Sequence, residues 1–209
     1  MAVAACFAVF SATGTTITFD GLNGSNADPF NGIASAGYTV SVASGNWYQS
    51  QVFGNNIPSI FTRLLNGIEG SIMLAGGTFT MQSVDVAANN GNATYTFIGL
   101  LRGAAVFSNS GIVTGHSGPF FFETVSNPSA ASVIDTLYIL VGAATSPSSI
   151  NLDNIVIHWA EPPPPPGASV PEPETVTLSG FSLAALVARR RCNRTLRNEK
   201  HARKCIRCR

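Results

Sequence analysis

The chain has 209 residues, of which 45% are hydrophobic and 11% charged, with a formal net charge of +1. Residues 1–188 contain ten acidic residues against only Arg63 and Arg102, about −8, whereas residues 189–209 contain ten basic residues and Glu199, about +9. The length suits one domain of ordinary size with tails. A lysine-free acidic body argues against binding to a phosphate backbone, so we expect no nucleic-acid partner.

The first fourteen residues predict a signal peptide. Residues 1–12 are apolar, and small residues at Ser11, Ala12 and Gly14 offer a cleavage region. No basic residue precedes this run, so we expect the natural start to lie upstream of Met1. Beyond Cys6, all cysteines lie in the basic tail, so the body must be stabilised by its own core or by a metal rather than by disulfides.

Residues 15–160 show the pattern of an all-β domain. Several segments alternate apolar and polar residues with a period of two, which is typical of half-buried strands. These segments are 17–19, 38–42, 79–86, 94–98 and 150–159, with continuous apolar runs at 120–122 and 139–141. Turn signals such as Gly76-Gly77 and Asn89-Asn90-Gly91 separate them, and 59–66 is the nearest candidate for a helix. We therefore predict roughly nine to eleven strands in a jelly-roll-like antiparallel β-sandwich.

Three different segments follow the predicted sandwich. Residues 161–174 contain five consecutive prolines, 162–166, and predict a stiff, extended linker. Residues 175–188 carry no charge and predict a C-terminal transmembrane helix of about 21 Å, shorter than a hydrocarbon core of about 30 Å. Arg189, Arg190 and Arg191 then act as a stop-transfer cluster, which places the basic tail 189–209 in the cytoplasm. In that tail Cys205 and Cys208, with Cys192 and His201, form only one of the two pairs that a closed zinc site usually has, so we favour incidental thiols.

The order of these C-terminal features resembles a known sorting signal. Val170, Pro171, Glu172 and Pro173 are followed by the apolar span and the arginine cluster, and this succession resembles the PEP-CTERM signal of exported bacterial proteins. The resemblance implies processing by an exosortase-type membrane enzyme, insertion of the precursor in the membrane, and delivery to the cell surface or extracellular matrix. The body is similar in style to the domain that such proteins carry, which opens with a Phe-Asp-Gly strand (19–21) and closes with Asp-Asn-Ile (153–155).

Two acidic residues are candidates for a structural calcium site. Asp20 and Asp153 lie near the two ends of the body, and the first and last strands of a jelly roll are often neighbours. Carboxylates and carbonyls gathered there suit Ca²⁺, which takes six to eight oxygen ligands. The alternative, which we favour, is that both aspartates cap turns through backbone hydrogen bonds.

Aromatic residues offer a second candidate site. Trp47, Tyr48 and Tyr95 are candidates for stacking on sugar rings, although aromatic side chains in a sandwich more often belong to the core. Catalysis has little support, because the nucleophile motif Gly-x-Ser-x-Gly is absent and neither His116 nor His158 belongs to a recognisable triad. We therefore expect a non-enzymatic surface or matrix protein. A carbohydrate-binding module for extracellular polysaccharide is the alternative, and a secreted hydrolase is the least favoured.

Overall fold

The computed structural model describes residues 14–63, 70–117 and 121–161, all within one compact unit that spans Met1–Pro163. These residues form twelve strands and no helix. The strands are β1 (Gly14–Ile17), β2 (Ile33–Ser35), β3 (Tyr38–Ser44), β4 (Trp47–Ser50), β5 (Ser59–Thr62), β6 (Gly70–Asn89), β7 (Ala93–Leu101), β8 (Ala104–Val113), β9 (Gly115–His116), β10 (Glu123–Ser126), β11 (Ile134–Ala143) and β12 (Ser149–Trp159). The prediction of an all-β antiparallel fold is confirmed.

Strand β6 is twenty residues long and pairs with different strands along its first and second parts. Its first part, 70–75, pairs with β3 on one side and with β11 on the other. Its second part, 79–89, pairs with β12 and β10. The change of partners falls at Gly76 and Gly77, whose φ angles are 140° and 66°. These two glycines therefore let one continuous strand pass from one set of partners to the next.

The two sets of partners form the layers of a β-sandwich. The first layer contains β2, β3, the first part of β6, β11, β7 and β8, and the second contains β4, β5, β1, β12, the second part of β6 and β10. All pairs in both layers are antiparallel; the two-residue β9 joins β6 in parallel. Side chains from both layers, such as Phe97 and Ile139 of the first and Met81 and Ile157 of the second, are fully buried in one core. Burial of this apolar surface is the main favourable term in folding.

Three details of the fold differ from the pattern-based expectations. Ser59–Thr62 is a fully buried strand rather than a helix, because all four residues pair with β4 and three of them, Ile60, Phe61 and Thr62, also pair with β12. Gly76-Gly77 was expected to be a turn between strands and instead lies inside β6. Phe121 and Phe122 precede β10 without belonging to a strand, and the exposed side chain of Phe121 contacts the ring of His116 at 5.3 Å.

Several predicted segments lie outside the described residues. These are most of the signal peptide (1–13), the linker after Glu161, the sorting motif at Val170–Pro173, the apolar span 175–188 and the tail with Arg189–Arg191. No helix within residues 14–63, 70–117 or 121–161 has the length and apolarity needed to cross a membrane.

Candidate functional site

The outer face of the second layer is where polar side chains gather. Asn151 on β12 lies between Phe61 on β5 and Ala87 on β6, its two cross-strand partners. The neighbouring residues Ile150 and Leu152 point the opposite way, into the core. Although this face looks away from the core, Asn151 is only 2% exposed. The connection 51–58 between β4 and β5 lies over part of the face, held there by hydrogen bonds from Asn55 to Asp153 and from Ser59 to the carbonyl of Phe53. The outer face thus combines a covered acidic region with an open cleft.

Two carboxylates are buried side by side in the covered region. Asp153 on β12 and Asp85 on β6 are direct cross-strand partners, with exposed fractions of 1% and 6%. The backbone N–H of Asn55, in the covering connection, donates to Asp153 Oδ2 at 2.8 Å, and the N–H of Asn154 donates to Asp153 Oδ1 at 2.9 Å. Asp153 thereby fastens the connection to the strand beneath it.

Asp85 is satisfied by side chains from three different segments. Its Oδ1 accepts the hydroxyl of Thr124 on β10 at 2.6 Å. Its Oδ2 accepts the Nδ2 groups of Asn55 at 2.8 Å and Asn154 at 2.9 Å. Every donor to either carboxylate among the described residues is therefore a neutral group, so burial of negative charge here is not offset by a cation.

The surroundings of Asp153 favour its protonated form. Burial raises the pKa of its carboxyl from an ordinary value of 3.8 to about 7, and the nearby charges of Asp85 and Asp20 add to the increase. The hydrogen bonds from the backbone N–H groups of Asn154 and Asn55 act in the opposite direction, because they stabilise the carboxylate. Desolvation outweighs them, so Asp153 titrates near neutral pH.

The predicted calcium ligands Asp20 and Asp153 are placed differently by the fold. Asp20 is exposed and affects Asp153 only through its charge, whereas Asp85, which sequence reasoning missed, is the residue next to Asp153. Within the described residues no three histidine, cysteine or acidic side chains come together as a metal site. The described partners of the two carboxylates act as hydrogen-bond donors, and those of Asp153 are backbone N–H groups, which cannot serve as oxygen ligands. This arrangement does not fit Ca²⁺, and calcium binding stays a prediction without support from these groups.

The three aromatic candidates occupy three different environments. Trp47 is 2% exposed in the core and donates its Nε1–H to the carbonyl of Ser44 at 3.1 Å, so its ring offers no face for stacking. Tyr95 packs against the core with its ring 4.9 Å from that of Phe97. Tyr48 is partly buried on the outer face of the second layer, 5.4 Å from the ring of Phe61. The fold does not bring the three rings together as one surface.

An open cleft of about 270 Å³ lies beside Asn151 on the same outer face. Its described lining includes two phenylalanines, one arginine and several amide and hydroxyl groups: Phe53, Phe61, Arg63, Asn89, Ser149 and Asn151. The guanidinium carbon of Arg63 lies 5.7 Å from the centre of the Phe61 ring and 6.0 Å from that of Tyr48, within the range of a cation–π contact. No acidic residue is among the described residues that line the cleft.

Asn151 Oδ1 is a buried acceptor that has no hydrogen-bond partner among the described residues. Its amide nitrogen is engaged on the other side, where Nδ2 donates to Ser59 Oγ at 3.3 Å. Sequence reasoning missed Asn151, although its position is visible in the pattern. It is a polar residue between Ile150 and Leu152 in the last strand, hence on the face turned away from the core.

One comparison with known proteins bears on the C-terminal segment. Residues 169–191 match the model of the PEP-CTERM protein-sorting motif. The match covers the Val-Pro-Glu-Pro segment, the apolar span and the arginine cluster, so the resemblance inferred from the sequence is confirmed. No curated protein matches the chain.

Solved structures of low sequence identity are similar to the sandwich. A DUF4465 family protein from Bacteroides caccae is 9% identical with a TM-score of 0.46, and the aligned region covers 71% of this chain and 100% of that protein. A family 29 carbohydrate-binding module from Piromyces equi is 14% identical with a TM-score of 0.44, over 72% of this chain and 93% of the module. A xylan-binding domain of carbohydrate-binding family 22 is 14% identical with a TM-score of 0.42, over 74% and 99%. At these TM-scores no ligand is inferred from the similarity.

Proposed function

We propose that this chain, a PEP-CTERM protein by its sorting motif, is a non-enzymatic protein of the bacterial cell surface or extracellular matrix. Exosortase is proposed to act near Pro171-Glu172-Pro173 on a membrane-anchored precursor. The match at residues 169–191 is the observation that carries the proposal. It marks the chain as exported and sorted at the membrane.

The charge distribution supports the proposed membrane topology. Residues 175–188 carry no charge, and three arginines follow at 189–191. Carrying three guanidinium groups across the hydrocarbon core costs several kcal/mol, so the arginines stay inside and the sandwich is delivered outside. The five prolines at 162–166 then act as an extended spacer between the sandwich and the anchor.

The state of the buried acids supports a non-enzymatic role. Asp85 and Asp153 are the two acidic side chains that the described fold buries together, and the pKa of Asp153 is raised to about 7, as it often is for a general acid. Both carboxylates are covered by the connection 51–58 and engaged by five hydrogen bonds from neutral groups. A substrate does not reach them without displacement of that connection, so we assign them a structural role.

Mass spectrometry of the surface-exposed form tests the sorting proposal. Replacing Pro171, Glu172 and Pro173 with alanine is expected to leave an unprocessed, membrane-bound precursor. Replacing Pro163, Pro164 and Pro165 with alanine is the matched control, because it removes prolines outside the motif and is expected to leave processing intact. Deleting residues 175–188 is expected to give a soluble protein that is not sorted.

The decisive measurement is the C-terminus of the mature protein. Digestion after glutamate, rather than after the many arginines, produces peptides of the tail 189–209 that are long enough to identify. Absence of these peptides from the surface form, together with their presence in the precursor, supports processing. Their recovery from the mature surface form contradicts processing by exosortase.

A further inference from the structure

We propose that the cleft beside Asn151 binds neutral, hydroxyl-rich sugar residues of a glycan. The proposal goes beyond sorting, because binding by the cleft does not depend on how the chain is delivered. It also places the ligand away from Trp47 and Tyr95, whose rings belong to the core region.

The first argument is the unsatisfied acceptor. The Ser59 hydroxyl donates to the carbonyl of Phe53 at 2.6 Å, so the Ser59 oxygen is left to accept from Asn151 Nδ2 at 3.3 Å. This chain of bonds fixes the orientation of the Asn151 amide and leaves Oδ1 as the atom without a partner among the described residues. A buried acceptor in this condition is costly, so a ligand that supplies a donor from the cleft gains affinity at this position.

The second argument concerns the chemistry of that donor. A sugar hydroxyl donates and accepts hydrogen bonds, as do the amide and hydroxyl groups of Asn89, Ser148 and Ser149, which also line the cleft. An ionised carboxylate only accepts, so it cannot satisfy Asn151 Oδ1. The acidic body, with ten acidic residues against two arginines before residue 189, further disfavours a polyanionic ligand. Asn151 Oδ1 therefore calls for a donor such as a sugar hydroxyl, and the net negative charge of the body, rather than the cleft lining with its Arg63, favours a neutral glycan.

The third argument is the placement of the aromatic rings. Phe53 lines the cleft with 41% of its surface exposed, and its apolar ring suits the C–H face of a sugar. Phe61 is 8% exposed and lies beneath Arg63, which can direct its N–H groups to hydroxyls of the ligand. We assign stacking to Phe53 and a supporting position to Phe61.

The size of the cleft distinguishes a glycan from a peptide. A volume of about 270 Å³ lies at the lower limit of ordinary ligand pockets and accommodates a single sugar unit, with the rest of the polymer outside. A peptide that used the same acceptor through a backbone N–H would need an extended groove or a free sheet edge for its neighbouring residues.

Retention on immobilised polysaccharides tests the proposal with the full-length chain in mild detergent. The probes are xylan, mannan, mixed-linkage β-glucan, galactan, polygalacturonate and carboxyl-reduced polygalacturonate. We expect retention on at least one neutral polymer and weaker retention on polygalacturonate than on its reduced form. The bound chain should be released by soluble oligosaccharides of the retaining polymer.

Two variants with one matched control connect binding to the cleft. Phe53→Ala is expected to weaken binding about tenfold or more, since stacking aromatic rings dominate such contacts. Phe121→Ala removes another exposed phenylalanine, which does not line the cleft among the described residues, and is expected to bind like the wild type. Asn151→Leu has nearly the same shape and is expected to lose binding while its melting temperature stays close to that of the wild type, because removal of the unsatisfied Oδ1 offsets loss of the Nδ2 bond to Ser59 Oγ.

The behaviour of Asn151→Leu separates a ligand contact from a structural role. A purely structural asparagine would lower the melting temperature when replaced, with binding unchanged. No retention on any of the neutral polymers overturns the proposal, as does retention on polygalacturonate alone. Binding of wild-type strength by both Phe53→Ala and Asn151→Leu also overturns it. Binding that soluble oligosaccharides do not release overturns it too, and indicates that a peptide or another ligand occupies the cleft.

Discussion

Asp153 and Asp85 lie directly opposite each other on neighbouring strands, both buried, and the described groups that bind them are all neutral. Cross-strand pairs of like charge are destabilising, and burial increases the cost. The pair therefore favours a state in which one carboxyl is protonated, which agrees with the raised pKa of Asp153. The same pair fastens the connection 51–58, so the stability of that cover is linked to pH.

The first prediction concerns the pH dependence of stability. Because the pKa of Asp153 rises from an ordinary 3.8 to about 7 in the folded state, the native state retains a proton that the unfolded state has lost between these values. Asp153 therefore contributes its full stabilisation of the folded state below about pH 4. This stabilisation, on the order of 4 kcal/mol, is lost as the pH rises to about 7. Thermal melts of the full-length chain between pH 4 and pH 8 are expected to show this decrease.

Asparagine variants assign the pH dependence to its source. Asp153→Asn removes the titrating group, so its melting temperature is expected to vary less with pH than that of the wild type and to be relatively higher at pH 8. Asp28→Asn is the matched control, because Asp28 is exposed and accepts a backbone N–H from Ser25 at 2.7 Å. An unchanged pH profile in Asp153→Asn would contradict the protonated state of Asp153.

The second prediction concerns calcium. The groups around Asp85 and Asp153 present hydrogens to the carboxylates, and two of these, the backbone N–H groups of Asn55 and Asn154, cannot be turned into oxygen ligands. We therefore expect the same melting temperature at pH 8 in excess EDTA and in millimolar Ca²⁺. A rise in Ca²⁺ that disappears in Asp153→Ala would show a stabilising ion at this site, since a ligand of the native state adds stability by mass action.

The third prediction concerns the cover over the acidic pair. Asn55→Ala removes the Nδ2 donor to Asp85 Oδ2, and loss of a hydrogen bond to a buried acidic group costs about 1–3 kcal/mol. Hydrogen exchange should accelerate mainly in residues 51–58, because the substitution weakens the attachment of this connection. The strand pairing beneath it remains, so exchange in the sheet should change little. Asn31→Ala, at an exposed asparagine, is the control. Equal protection of this connection in wild type and Asn55→Ala would contradict its role as an anchor.

Local patterns were sufficient to predict much of the fold. Period-two alternation correctly indicated strands at 79–86, 94–98 and 150–159, which lie in β6, β7 and β12. The same reasoning divided β6 at Gly76-Gly77, because a glycine pair signals a turn locally and only tertiary pairing shows that the strand continues. Residues 59–66 illustrate the opposite case, since pairing with β4 and β12 makes Ser59–Thr62 a strand despite its weak alternation.

The candidate site depends on contacts that sequence separation conceals. Asp85 and Asp153 are 68 positions apart, and only the register of β6 against β12 makes them neighbours. The aromatic residue Trp47 looked like a stacking platform, but its position on β4 directs it into the core. Asn151 could be placed on the outer face from its apolar neighbours, whereas its unsatisfied oxygen could be recognised only from the hydrogen bonds of Ser59.

The last prediction concerns the passage of β6 between the two layers. Gly76 has a φ of 140°, and an added Cβ would lie 2.8 Å from the carbonyl oxygen of Gly37 and 3.0 Å from Tyr38 Cα. Gly77 has a φ of 66°, in the left-handed region, with open space around it. Gly76→Ala combines a forbidden φ with a backbone clash and is expected to cost about 3 kcal/mol, whereas Gly77→Ala is expected to cost about 1 kcal/mol.

Denaturant unfolding of three variants tests this ranking. Gly77→Asn is expected to lie closer to the wild type than Gly77→Ala, because asparagine tolerates the left-handed conformation better than alanine does. No such rescue is available at Gly76, where the clash with the backbone of Gly37 and Tyr38 affects any side chain. Equal losses for Gly76→Ala and Gly77→Ala, or a larger loss at Gly77, would contradict the close approach of β6 to the turn that precedes β3.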